Sequence, residues 1–241
     1  MKTTASVSNT LLAQLPMDER GRLLARGEWI KLQIRDALYD AAEPIRFVYF
    51  PRSGLYSVLA LMDDGSAVEV ASVGNDGLIG VPVALGVAAS PRRCFCQIPG
   101  EALRLDADVF REELRRPALQ AIIGRYIDAF LVQTTQLTAC NSVHSIQQRY
   151  ARWILMTQDQ LGLDKFALTQ DFLAQMLGVR RASVNSAAAT LQELGYIRYS
   201  RGQITVIDRR GVERAACECH RVIRTASENA FCTYAANEPT H

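Results

Sequence analysis

The apolar residues of this chain change their spacing once, and that change sets the fold class. Over residues 29–105 they fall in short alternating runs, as in Ile30-Lys31-Leu32-Gln33-Ile34, the pattern of half-buried strands. Further runs follow at residues 45–50, 55–62, 67–73, 94–98 and 101–105. Pro51-Arg52-Ser53-Gly54, Asp63-Asp64-Gly65 and Pro99-Gly100 separate them, and the Asp-Gly turn marks a hairpin. Evenly spaced short strands of this kind predict a compact β roll. From Pro117 the period becomes helical. Leu119, Ile122, Ile123, Tyr126, Ile127 and Phe130 recur at i, i+3, i+4, i+7, i+8 and i+11, with Leu131, Val132 and Leu137 extending the stripe. A helix reaching Ala139 or Cys140 would be about 36 Å long at 1.5 Å per residue. The class is therefore α+β.

That helix is long for a small roll, and its stripe carries little charge. Packing against a copy of itself is the expectation, with Ile122, Ile123, Tyr126, Ile127, Phe130 and Leu137 at the dimer interface and Gly124 allowing close approach. A helix buried wholly within one chain is the alternative. Cys140-Asn141-Ser142 reads as a break, which divides the chain into residues 1–112 (roll), 113–140 (long helix) and 141–241. Residues 1–10 read as a loose tail, and residues 11–25 as helical with a break at Pro16. A further helix carries Ile146, Tyr150, Trp153, Ile154 and Leu161 inward and stops at Gly162.

Residues 168–207 are the most informative. Thr169 suits a helix N-cap, and Asp171 lies in the first turn, where the helix dipole favours an acid. Phe172, Leu173, Met176 and Leu177 form an inner face, Gly178 ends the helix, and Val179 plugs the turn. A second helix starts near Arg180 and turns Val184, Ala187, Leu191 and Leu194 inward before Gly195. Residues 196–199 and 203–207 then flank Ser200-Arg201-Gly202 as a short hairpin. Helix, glycine turn, helix and hairpin make a winged helix-turn-helix. Residues 168–214 hold seven arginines and four acids, a local charge of +3 in a chain of net +2. Such concentration is the footprint of phosphate contacts. In this reading Arg181 pairs with guanine, Asn185 reads adenine, Ser183 and Ser186 touch base or phosphate, and Arg180 and Arg201 hold phosphates. A helical hairpin without a DNA role is the alternative.

Composition removes other classes. Apolar residues are 49% and charged residues 22% of the 241, an ordinary globular balance. No apolar run approaches the roughly 18 residues of a membrane span, and the first twenty residues hold no signal-peptide core, so a cytosolic protein with no membrane partner is expected. G-x-G-x-x-G, Walker A, G-x-S-x-G, H-E-x-x-H and C-x-x-C are all missing from the sequence, so no enzyme is expected. Of the six cysteines, Cys94 and Cys96 share one strand face, and Cys140 ends the long helix. Cys217 and His220 stand i, i+3 with Cys219 between them. A metal would need further ligands from elsewhere, so neither a metal nor another cofactor is expected.

The order of roll, long helix and winged helix-turn-helix, together with the 168–207 motif, resembles the CRP/FNR family of bacterial transcription regulators over nearly the whole chain. The resemblance implies a jelly roll of the cyclic-nucleotide-binding type as sensor. It also implies a homodimer built on the central helices, a palindromic double-stranded DNA site, and RNA polymerase as a further partner. The family's guanine-reading arginine matches Arg181 and a Ser/Thr position matches Ser183. A commonly acidic position is Ala182, and a frequent second arginine is Ser186, so the usual family site does not carry over. Family members that bind cyclic nucleotides have a ribose-binding glutamate where this chain has Val81, after Leu78-Ile79-Gly80. Their phosphate-holding Arg-Ser pair is replaced by Ser90-Pro91-Arg92-Arg93-Cys94. A valine leaves a ribose hydroxyl unpaired, which is costly, so a response to cyclic AMP is not expected. Val81, Arg92 and Arg93 mark the candidate effector pocket, for another anion or as an exposed turn, and the signal is an unidentified small molecule or a redox change. The family's iron–sulfur branch gathers cysteines near its N-terminus, whereas no cysteine here precedes Cys94, and the roll holds no histidine for haem. A cyclic-nucleotide-responsive regulator and an effector-binding adaptor without DNA binding are the remaining alternatives.

Overall fold

The computed structural model describes residues 9–231. Residues 1–8 of the expected tail, Cys232 and His241 lie outside them. Asn9 and Thr10 are not tail. Asn9 is fully buried; its Nδ2 donates to the carbonyls of Pro51 (2.8 Å) and Gly77 (3.0 Å), and its Oδ1 caps α1 (Thr10–Ala13). Pro16 separates α1 from α2 (Met17–Arg26), as its ring requires.

Strands β1 (Glu28–Leu32), β2 (Ala37–Tyr39), β3 (Phe47–Pro51), β4 (Leu55–Leu61), β5 (Ala67–Val73), β6 (Arg92–Ile98) and β7 (Gly100–Asp106) form the roll. They make two antiparallel sheets, ordered β1-β7-β3 and β2-β6-β4-β5. Phe50, Tyr56, Leu78, Cys94, Leu103 and Leu105 fill the space between the sheets. The three-residue β2, α3 (Val81–Ala84) and α4 (Ala107–Glu113) are too short to leave a periodic signal in the sequence.

Helix α5 (Pro117–Val143) runs 27 residues. It passes through the expected break at Cys140-Asn141-Ser142 and ends at His144-Ser145, where Ser145 and Gln148 form a capping box for α6 (Ile146–Leu161). The direction of α5's apolar stripe corrects the expected interface. Ile122, Ile123, Tyr126 and Phe130 are buried in the chain's own roll core, with Ile127 partly buried against it, and Leu137 packs on Met156 and Ile223. The roll satisfies that stripe, so it is not left for a second copy. The open face instead carries Ala121, Gly124, Asp128, Leu131, Thr135, Thr138 and Ser142, alternately three and four residues apart.

After α6 come β8 (Lys165–Ala167), α7 (Gln170–Leu177), α8 (Arg181–Glu193), β9 (Ile197–Ser200), β10 (Gln203–Val206), α9 (Arg209–Ala215) and α10 (Cys219–Phe231). Strand β8 adds to the expected hairpin, giving a sheet ordered β8-β10-β9. Helix α10 returns along α5, and the Arg125 Nε donates to the Ala230 carbonyl (3.0 Å). The winged helix-turn-helix also docks on the roll. Phe95 and Phe172 meet edge to face at 5.8 Å, and Leu59, Phe95 and Met176 form a small shared core. Leu55 joins the core around Tyr150 and Trp153. Residues 55–59 of β4 are thus buried on both faces.

Candidate nucleic-acid interface

The geometry of α7 and α8 follows from local chemistry. The Thr169 hydroxyl accepts from Phe172 N–H (3.3 Å), capping α7. At the other end Gly178 adopts φ 62°, Gly178 N–H bonds to Gln175 O (3.1 Å) and Val179 N–H to Ala174 O (3.0 Å). This is a Schellman motif, and it needs a residue that tolerates the left-handed region. Gly195 (φ 72°) ends α8 in the same way, with Tyr196 N–H on Leu191 O (2.9 Å).

Val184, Ala187, Ala188 and Leu191 bury one side of α8. The other side leaves Arg181, Ala182, Asn185, Ser186 and Ala189 exposed, with Ser183 half-buried at its edge. Arg180 is the N-cap residue and is exposed. Arg181 and Asp171 form an ion pair of 3.1 Å, with about two thirds of each side chain exposed. A pair in that setting contributes roughly 0–1 kcal/mol, so little holds Arg181 back from another acceptor. Leu194, expected inward, is 54% exposed at the C-cap of α8. The wing turns tightly at Arg201 (φ 50°) and Gly202 (φ 74°), two successive left-handed residues as a type I′ turn requires. Arg201 is exposed at its tip. Gln192 Oε1 accepts from Tyr199 N–H (2.9 Å), fixing the wing against α8.

The seven-arginine count overstates the available charge. Arg209 is paired with Asp159 (2.8 Å) and Glu213 (3.0 Å), and Arg214 with Asp208 over the Tyr196 ring. Among the described residues, Arg180, Arg198, Arg201 and Arg210 are exposed and enter no ion pair.

In the roll, Val81 and Arg92 line one small cavity with Tyr39, Leu78, Gly80 and Phe130. Its volume is about 10 Å³, roughly what a single water needs. Arg93 is not part of it and pairs instead with Asp40 (2.9 Å). Phe130 reaches this space from α5, which couples the roll interior directly to the long helix. A larger cleft of about 370 Å³ lies elsewhere, between the roll and the helices, lined by Asp76, Asp159, Arg209, His220 and Arg224 among others.

Cys94 and Cys96 are buried in the roll core. Burial pushes both thiols up, that of Cys96 to about 12, which makes them poor nucleophiles. His220 does not join Cys217 despite their i, i+3 spacing: its Nε2 bonds to Asp159 (2.8 Å). Cys140, Cys217 and Cys219 instead gather around His144, a residue that sequence spacing did not connect with the last two.

Residues 148–215 match the family model described as the Crp-like helix-turn-helix domain. No curated protein matches the chain. Among solved structures it is similar to FixK2 from Bradyrhizobium japonicum, with TM-score 0.69 and 14% identity over 79% of this chain and 98% of that one. It is also similar to the c-di-GMP responsive global regulator CLP of Xanthomonas campestris (TM-score 0.65, 15% identity, 79% and 99% covered). A CRP/FNR-family transcriptional regulator from Thermus thermophilus is a third (TM-score 0.63, 21% identity, 78% and 98% covered). With a match to a Crp-like helix-turn-helix domain over residues 148–215, the chain has the fold of solved CRP/FNR-family transcriptional regulators.

Proposed function

We propose that this protein regulates transcription as a homodimer on a two-fold symmetric DNA site, without requiring cyclic AMP. The observation that carries the reading is the division of α8. Its inner side is locked into the core by Val184, Ala187 and Leu191, while Arg181, Asn185 and Ser186 stand on its outer side, beside a wing tipped by Arg201. A helix so presented enters the major groove, where Arg181 pairs with guanine and Asn185 with adenine. Ser183 and Thr169 flank the groove, and Arg180 and Arg201 meet phosphates.

The open stripe of α5 supports the dimer. Its Gly124 and Ala121 permit close approach, and Leu131 is 55% exposed. The hydroxyls of Thr134 and Thr135 both donate to Leu131 O, Thr138 donates to Thr134 O and Ser142 to Thr138 O. Their polar atoms are satisfied within the helix, so covering these hydroxyls strands no hydrogen-bonding group of theirs. In the dimer two copies of α8 are held about 34 Å apart, one turn of DNA. The filled roll supports independence from cyclic AMP. Val81 occupies the position of a ribose acceptor, and a cavity of about 10 Å³ leaves no room for a nucleotide.

Selection of genomic fragments on the purified protein, with and without cyclic AMP, tests the reading. A symmetric site enriched equally in both conditions is expected. Enrichment only with the nucleotide overturns the cyclic AMP statement, and affinity for DNA that does not fall steeply with salt overturns the DNA reading.

A further inference from the structure

The end of α5 and the start of α10 bring four metal-ligating side chains to one point. Cys140 lies in the last turn of α5 (Pro117–Val143) and His144 caps its end, while Cys217 and Cys219 bracket Glu218 at the α9–α10 junction. Their ligand atoms all lie within 4.8 Å of one another, and the three cysteines are buried. We propose that Cys140, His144, Cys217 and Cys219 bind one Zn²⁺ ion in a closed tetrahedral site. The inference is independent of the reading of α8.

Three observations carry it. The first is distance. Cys140 Sγ and Cys217 Sγ are 3.5 Å apart, and so are Cys219 Sγ and His144 Nδ1. Zinc bonds of about 2.3 Å to sulfur and 2.0–2.1 Å to nitrogen set tetrahedral edges of roughly 3.8 and 3.6 Å. The second is the outer shell. The other ring nitrogen of His144, Nε2, faces the Glu218 carboxylate at 3.3 Å, the carboxylate–histidine arrangement that fixes a metal-bound imidazole. Gln136 Nε2 donates to Cys219 Sγ (3.2 Å), which stabilises a thiolate. The third is charge. Arg152 is buried and Arg149 half-buried, both act electrostatically on this cluster, and neither forms an ion pair among the described residues. The Nε atoms of both are buried without a partner. Three thiolates and a neutral imidazole around Zn²⁺ carry a net charge of −1, which answers those cations.

Thiolate and imidazole ligands in a tetrahedral set select zinc over calcium or magnesium, which prefer oxygen. Each cysteine releases its proton to solvent on binding. The ion would join chain segments separated by the whole winged helix-turn-helix and pin the α5–α6 corner at His144-Ser145.

The test is elemental analysis of the full-length protein, purified without chelator, followed by Co²⁺ substitution. One zinc per chain is expected, and cobalt should give the intense thiolate charge-transfer and visible bands of a tetrahedral site. Cys217→Ser should abolish both. His144→Cys keeps four soft ligands and should retain the metal. Glu218→Ala leaves the ligands in place and should weaken zinc binding about 10–100-fold, so the outcome does not depend on Cys217→Ser folding. Protein that contains no zinc and shows no cobalt spectrum overturns the proposal. So does a Cys140–Cys217 disulfide in the mass spectrum of the isolated chain, or iron with acid-labile sulfide in place of zinc.

Discussion

At the residue scale the side chains divide by whether their work is local. Arg181 is exposed at the start of α8, and its only ion pair among the described residues is a solvated one to Asp171. Arg181→Ala should therefore leave thermal stability nearly unchanged. It should cost about 1–3 kcal/mol on the cognate site and relax one base position, read by titration against a base-substituted series. Arg201→Ala should weaken all sequences alike and lower the salt slope by about one. Glu69 behaves differently. It lies buried between the roll and α6, accepting from Trp153 Nε1 (3.0 Å) and the Ser57 hydroxyl (2.7 Å). Burial raises its carboxyl from 4.5 to about 7. The folded protein thus holds this proton more tightly than the unfolded chain. The stabilisation is complete below about pH 4.5 and is lost as pH rises through 7, on the order of 3 kcal/mol in all. Glu69→Gln should remove that slope, as measured by denaturant midpoints between pH 5 and 8.

At the element scale α5 has two faces with separate duties. Ile123→Ala opens a cavity against the roll and should destabilise each chain by about 2–5 kcal/mol without changing its association state. Leu131→Asp should leave the fold intact and abolish the proposed dimer, as light scattering would show; a dimer that survives it would place the interface elsewhere. Sequence spacing identified α5 to within a turn but assigned its apolar stripe to the wrong partner. The reason is physical: Ile122, Ile123 and Phe130 meet the requirements of a roll core as well as those of a second helix, and periodicity alone does not name what lies opposite. Helices α7 and α8 were legible in detail because Thr169, Gly178 and Gly195 act through bonds no more than five residues long. The strand β8 and helices α3 and α4 were not, since a three-residue strand and helices of four and seven residues are too short to show their period and are held by tertiary contacts.

At the scale of the whole molecule the roll and the DNA-binding module share cores through Phe95, Phe172 and Leu55, so a change in one is felt by the other. The unbroken burial of β4 was the available sign of this second layer: Leu55-Tyr56-Ser57-Val58-Leu59 does not alternate as a strand with one wet face would. The His144 cluster left no such sign, because its halves lie 77 residues apart at Cys140 and Cys217. Since Phe130, Tyr39 and Val81 fill the roll, calorimetry with cyclic AMP should give no saturable heat, and a thermal scan no shift in Tm.

Cys140, in the last turn of α5 before the winged segment, and Cys217, just after it, have sulfurs 3.5 Å apart. A segment whose ends coincide in space can be exchanged with little strain at its junction, provided the incoming domain repacks on Leu55, Leu59 and Phe95. The same roll and long helix could therefore present a different DNA reader. A chimaera that splices a homologous domain between Ser145 and Ala216 should keep the parent's assembly while acquiring the donor's target. In evolutionary terms, this junction is where such a chain can be rewired in a single recombination.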